Sequence, residues 1–367
     1  MIIMNKKLPV ALLVLLLSCA VIEGASAQTG TTVLPPWSTP PSWLEAGTYA
    51  TYDINYTASQ KATWKWQIVS KYSVEGSDFV DVLHTFVGMP EVGGKVMPST
   101  YLSTINASNR AITNVVPVDR PLPQGYSPPF PTLFALWIPS DVQINQSVSL
   151  MGPWFLSGYP PAPILRFENV ETQLGTQECV LGGFGIENGY PETDYLWYNA
   201  SSQMLVKYYM NWPSYQSESG AVLTEWAPML KFSLTVDQKT YNITALSNST
   251  VSGLNFSQTS KQLSFSVNGV SGTKGFCNIT IPASLMSGTF SFFRDDALLV
   301  DGLDYVQTYN GTHYAFVIYY SHSLHTIRIV SSEAIPEFPS SIVMMLMMVP
   351  LLAGILLFRK RVLKIRK

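Results

Sequence analysis

Ala62-Thr63-Trp64-Lys65-Trp66-Gln67-Ile68-Val69 is the stretch that decides the fold. In an extended chain Trp64, Trp66 and Ile68 share one side, while Thr63, Lys65 and Gln67 share the other. That period of two marks a strand with one buried face. The same alternation runs just upstream, where Tyr52, Ile54 and Tyr56 alternate with Thr51, Asp53 and Asn55. Away from the chain ends, no segment carries a long apolar stripe at helical spacing. The chain holds 19 Tyr, 17 Phe and 9 Trp with only 13% charged residues, a composition suited to pleated, half-buried surfaces. The expected fold is mostly β, built from antiparallel sheets.

Working outward, residues 43–240 read as one large antiparallel sheet domain. Within it, residues 116–163 carry eleven of the chain's 25 prolines. Proline lacks a ladder donor, so this piece is excluded from a central strand. Phe130, Leu133, Phe134, Leu136, Trp137, Trp154 and Phe155 make it too apolar for a disordered loop, and it reads as a folded cover over one sheet face. Trp64, Trp66, Trp137 and Trp154 would line an apolar pocket if one opens between sheet and cover. Residues 241–332 hold six short strand signals punctuated by Asn268-Gly269, Asp301-Gly302 and Asn310-Gly311, the pattern of an Ig-like β-sandwich serving as a stalk.

Both ends bear on location. Lys6 and Lys7 precede an apolar run from Leu8 to Ile22, and Ala25-Ser26-Ala27 offers a cleavage site, so residues 1–27 read as a signal peptide and 28–42 as a linker. A lipoprotein signal at Cys19 is the rival reading. At the other end, residues 342–358 are uncharged and sit at the short end of what spans a bilayer as a helix. Six of the nine residues in 359–367 are basic, which holds that tail in the cytoplasm and the preceding chain outside.

Three motifs follow one another near the C-terminus: Gly275 to Pro282 (GFCNITIP), Tyr320 to Ile327 (YSHSLHTI) and Ile335 to Ser340 (IPEFPS). In this order they resemble the C-terminal module of many archaeal cell-surface proteins, which end in a β-sandwich, a Pro-Glu-Phe motif, one hydrophobic helix and a basic tail. The likeness covers about a third of the chain. It implies a juxtamembrane motif at 333–341, with Pro336, Glu337 and Phe338 recognised by an archaeosortase and the protein passed to a lipid anchor. The alternative is a rigid elbow before a helix that is retained. In the first domain, the strand–turn–strand from Tyr195 to Lys207 loosely resembles half-barrel carriers of lipids and lipoproteins, which implies a half-barrel-like sheet.

Removing the signal and the tail leaves 14 basic against 23 acidic residues, so the exported part is acidic although the whole chain is near −2. That balance argues against nucleic acid and against anionic lipid headgroups. Nine of sixteen asparagines head Asn-x-Ser/Thr: Asn55, Asn106, Asn145, Asn199, Asn242, Asn248, Asn255, Asn278 and Asn310. Chance would give ~3, and the surplus points to a glycosylated surface protein.

Candidate chemistry is thin. His322 and His325 have the spacing of a short metal motif, but in an extended chain they point to opposite sides, which favours a turn role. Asp295, Asp296, Asp301 and Asp304 match no calcium loop. His84 is isolated within a strand, and no nucleophile elbow, zinc-protease or phosphate-loop motif occurs. Cys179 and Cys277 allow one disulfide between the domains or two buried thiols, and their strand-like contexts favour thiols. No catalytic residue, metal or cofactor is therefore assigned. The leading expectation is a non-enzymatic surface protein whose outer β domain contacts the envelope or another macromolecule. The alternative is a surface-anchored binding protein or carrier for an apolar or amphipathic ligand. A hydrolase would need His84 beside a nucleophile or carboxylate.

Overall fold

The computed structural model describes residues 40–55, 60–91, 94–126, 128–150, 161–185, 193–213, 217–335 and 348–349. The signal peptide, Tyr56, Trp154, Pro336, Glu337, Phe338, the basic tail and all but two residues of the expected span lie outside them. Among the described residues, no helix is long and apolar enough to cross a membrane.

The alternating pattern produces strands throughout. The first eleven are β1 (Tyr49–Asn55), β2 (Lys61–Val74), β3 (Ser77–Val87), β4 (Thr100–Asn106), β5 (Ile112–Pro117), β6 (Ser147–Val148), β7 (Ala162–Thr172), β8 (Gly175–Phe184), β9 (Thr193–Asn199), β10 (Leu205–Trp212) and β11 (Ser217–Ala227). They form one sheet in the order β5-β4-β3-β2-β1-β11-β10-β9-β8-β7-β6. Two antiparallel meanders thus meet where β11 returns beside β1. Tyr52, Ile54, Trp64, Trp66, Ile68, Val82, Phe86 and Tyr101 are buried on one face.

That face is closed by the Pro-rich segment. Phe134 to Ile138 are buried, and their backbone is tied in by Ala135 N–H to Leu150 O (3.0 Å), Leu205 N–H to Leu136 O (2.9 Å) and Ile138 N–H to Gln203 O (3.0 Å). Residues 134–138 fall between Pro131 and Pro139 and contain no proline, which leaves the Ala135 and Ile138 donors free to bond, as burial of a backbone requires. Tyr198 donates its hydroxyl to Ala135 O at 2.9 Å, and Phe134 packs on Tyr208 with ring centroids 4.9 Å apart.

The remaining strands are β12 (Met229–Val236), β13 (Lys239–Ser247), β14 (Thr250–Ser257), β15 (Gln262–Asn268), β16 (Lys274–Pro282), β17 (Met286–Arg294), β18 (Ala297–Leu298), β19 (Tyr305–Tyr309), β20 (His313–Ser321) and β21 (His325–Ala334). They make two five-stranded sheets, β12-β13-β16-β20-β19 and β14-β15-β21-β17-β18. Residues of both sheets share one core around Ile279, Ile281, Phe292, Phe316 and Ile329. Phe292 of one sheet meets Tyr305 of the other with ring centroids 4.0 Å apart.

The boundary between the two parts falls at Pro228, not at residue 240. The run 223–236 looks like one long strand in sequence, but Pro228 interrupts it, and β12 pairs with β13. Asp237 and Gln238 then turn the chain with φ of 49° and 64°, the positive values that a two-residue hairpin of type I′ demands. Asp295 and Asp296 do the same between β17 and β18. Neither pair carries the glycine that announces such a turn.

Only Pro228 separates the two folds, and the joint is bonded. Thr48 Oγ1 accepts the Met229 N–H at 2.8 Å and donates to Trp43 O at 2.7 Å. Glu45 pairs with Lys71 of β2 at 2.9 Å and with Lys231 of β12 at 2.7 Å. Burial raises the Glu45 carboxyl, and hydrogen bonds from Lys231 and Lys71 outweigh it, leaving the group below the usual carboxylate range.

Candidate functional site

Each strand near the centre of the large sheet has two sides, and they differ in kind. On the inner side, Trp64 stacks on Tyr52 (centroids 4.6 Å apart) and on His84 (5.9 Å). Its indole N–H donates to His84 Nδ1 at 3.2 Å, so the ring proton of a neutral His84 sits on Nε2, 2.8 Å from Ser103 Oγ. Burial pushes the His84 pKa down to about 3, which keeps the ring neutral. Trp66 donates to the Tyr52 hydroxyl, which itself donates to Leu205 O at 2.6 Å. Trp137 is 3% exposed and meets Trp43 edge-on. Trp64, Trp66 and Trp137 are thus brought together around Trp43 and Tyr52 as packed core. Trp154 lies outside the described residues.

On the outer side a cleft of about 530 Å³ opens over β1, β2, β3 and β11, and Gln173 from the β7–β8 turn closes one flank. Its polar lining is Asp53, Asn55, Lys61, Thr63, Gln173 and Thr224. Ala62, Val87, Gly88 and Val222 supply the apolar part. The alternation that buries Ile54 and Trp64 is what turns Asp53, Asn55 and Thr63 outward. Cross-strand pairing sets Asp53 between Thr63 and Val222. Thr224 is the extra residue of a β-bulge opposite Thr51 and Tyr52, and bulges re-aim side chains in this way. Gly88 follows β3 at the rim with φ +80°, where a Cβ would also lie 3.1 Å from Lys61 O. Among the described residues neither Asp53 nor Lys61 forms an ion pair. The Gln173 amide lies 3.5 Å from Asp53 Oδ2, at the limit of a hydrogen bond. No motif marks this cleft in the sequence. Its one legible signal is the polar side of the alternating strands.

The other sequence candidates fall into local roles. His322 is buried, with Nε2 2.8 Å from Ser249 Oγ and Nδ1 facing Thr273 Oγ1. Ser323 Oγ lies 2.8 Å from His325 Nε2, and His325 Nδ1 faces Asp295, the connectivity of a Ser–His–Asp relay. However, Ser321 O also sits 2.9 Å from Nε2, so a lone pair there would point at a carbonyl oxygen rather than wait for the Ser323 proton. Asp295 accepts the Thr326 N–H at 2.8 Å as well, and the group staples the β17–β18 turn to β21. The Thr326 N–H, then His325, hold the Asp295 carboxyl below its usual value. Asp296 pairs with Arg328, and Asp304 accepts the Val300 N–H at 2.9 Å. Among the described residues no cluster suits a metal ion.

Cys179 and Cys277 are separate buried thiols. Burial, with Glu168 and Glu178 nearby, pushes Cys179 up to about 12, and burial alone raises Cys277 to about 12. Of the sequon asparagines, Asn55, Asn145, Asn242, Asn255 and Asn310 are exposed. Asn106, Asn199, Asn248 and Asn278 are half-buried; Asn199 Nδ2 donates to Gln177 and Asn248 Nδ2 to Lys274 O.

No family model matches the chain, and no curated protein matches it. Among solved structures it is similar to an exported protein with a YmcC-like fold from Bacteroides fragilis (10% identity, TM-score 0.28, covering 51% of this chain and 97% of that one). It is likewise similar to a lipoprotein from Parabacteroides distasonis (10%, 0.28, 52% and 100%). A third is the MucA/MucB complex of Pseudomonas aeruginosa (8%, 0.26, 79% and 90%). At these scores the likeness is too slight to bear on fold or function.

Proposed function

We propose that the chain is a non-enzymatic, exported cell-surface protein held at its C-terminus, whose large sheet domain contacts the envelope or another surface macromolecule. The observation that carries this reading is the outer-face cleft, where Asp53 and Lys61 lack ion-pair partners among the described residues while the opposite face is closed over its tryptophans. The Ig-like sandwich serves as a stalk, bonded directly to the sheet domain through Thr48 and Glu45. Export and anchoring rest on the sequence of both ends, including the archaeal-type Pro336-Glu337-Phe338 motif, and glycosylation rests on the nine sequons. Archaeosortase processing accounts for the motif in this reading.

Retention of full-length protein on isolated envelope fractions tests the contact. Retention that Asp53→Ala and Lys61→Ala weaken supports the reading, and retention indifferent to both sinks it. Intact mass of native protein tests the anchor: an end near Pro336 with added lipid supports processing, whereas a mass reaching Lys367 removes it. The carrier alternative has less in its favour, because an apolar ligand would have to displace the Trp43–Trp66–Trp137 packing.

A further inference from the structure

We infer that the outer-face cleft is a saccharide site, taking one or two neutral sugar units. This inference rests on the reading of the cleft as the contact surface and names the chemistry of what it contacts. The lining joins one acid, Asp53, to one base, Lys61, so the site is balanced in charge and favours a ligand without net charge. Around them, the Asn55 and Gln173 amides and the Thr63 hydroxyl each offer both a donor and an acceptor. A sugar presents the matching partner, a row of hydroxyls that each donate and accept. An apolar wall from Val87 and Val222 suits the C–H face of a pyranose ring. A volume of about 530 Å³ lies in the ordinary range for small-molecule clefts and accommodates a disaccharide.

The polar groups are also available. Among the described residues Asp53 has only the 3.5 Å approach of Gln173, and Lys61 has no ion pair. Thr224 is different, since its hydroxyl already donates to Thr51 O at 3.1 Å and shapes the bulge.

Two sources can supply the sugar. One is an external glycan of the envelope. The other is the protein's own, because Asn55 lines the cleft and heads the sequon Asn55-Tyr56-Thr57, so a glycan attached there begins inside the site. The chemistry is the same in both cases, and the experiment separates them.

The probes are glucose, galactose, mannose, N-acetylglucosamine and their disaccharides. Each is offered to detergent-extracted full-length protein, and binding is read by saturation-transfer NMR and calorimetry. In parallel, the Asn55 peptide of the native protein is analysed by mass spectrometry for an attached glycan. An unmodified Asn55 with binding of at least one sugar, weakened about tenfold or more in Asp53→Ala, establishes the external source. A glycan on Asn55, with free-sugar binding appearing only in Asn55→Gln and again lost with Asp53→Ala, establishes the internal one. Asp53→Asn preserves the shape of the side chain if Asp53→Ala fails to fold. Wild type and Asn55→Gln both silent towards every sugar overturn the proposal, as does binding unchanged by either Asp53 variant. Envelope retention that survives while sugars fail to bind would overturn the saccharide assignment and leave the contact function standing.

Discussion

The two faces of β2 make the sharpest contrast in the molecule. Trp64 and Trp66 are fully buried and use their indole N–H groups on His84 and Tyr52, while Lys61 and Thr63 line an open cleft. The difference teaches that the residues conspicuous in sequence are those the fold consumes. Large aromatics announce themselves because they bury the most area, and that same area is what commits them to packing. Ordinary polar residues on the opposite side are left available for a partner.

The contrast breaks most visibly at Trp64. Trp64→Ala removes the ring contacts with Tyr52, His84 and Phe86 and leaves the His84 acceptor without its donor; a loss of about 3–5 kcal/mol is expected by urea denaturation. A loss below about 1 kcal/mol would mean that the inner face is loosely filled and could admit a ligand after all.

Acid should act through the inner face next. The folded pKa of His84, about 3, lies below the unfolded value near 6.5. The unfolded chain therefore takes up the proton first, so the stability from a neutral His84 is complete above pH ~6.5 and falls by about 1.4 kcal/mol per pH unit below it, towards pH 3. His322, lowered by burial and then by His325, adds in the same direction. His84→Gln can still accept from Trp64 and donate to Ser103, and it should flatten the pH dependence between about 6.5 and 5. A slope identical to wild type in a pH series of melts would count against a neutral, buried His84.

At the joint between the two folds, Thr48→Val leaves the Met229 N–H without its acceptor, for a cost of about 1–3 kcal/mol. Two separated unfolding transitions in this variant, where wild type shows one, would show that the bond couples the domains. The buried thiols give a smaller, kinetic signal. Both Cys179 and Cys277 should resist a soluble thiol reagent in native protein and react on unfolding.

The outer face should show the smallest stability effect. Asp53→Ala is expected to change unfolding free energy by less than about 0.5 kcal/mol, because the side chain is exposed and forms no ion pair among the described residues. A large loss would move Asp53 from the cleft's function to the sheet's structure.

The alternation at 62–69 was enough to identify β2 and its buried side, because a period of two maps directly onto the two faces of a strand. The domain boundary was not legible to the same degree. The run 223–236 keeps strand character across Pro228, and only pairing with β13 shows that β12 belongs to the sandwich. The hairpin turn Asp237-Gln238 was hidden for a related reason, since non-glycine residues accept positive φ when the flanking ladders impose it. Asp295 lies in an acidic cluster whose spacing matches no calcium loop, and only the structure shows that its carboxylate serves His325 and the Thr326 N–H.

Local periodicity and composition were sufficient for the β class and for the polar and apolar sides of the central strands. Tertiary structure alone decided that the tryptophans close on one another, that Pro228 divides the folds, and that Asp53, Lys61 and Gln173, up to 120 residues apart, share one cleft. Those outcomes depend on strand order and on a bulge in β11, and neither leaves a mark in the neighbouring residues of the chain.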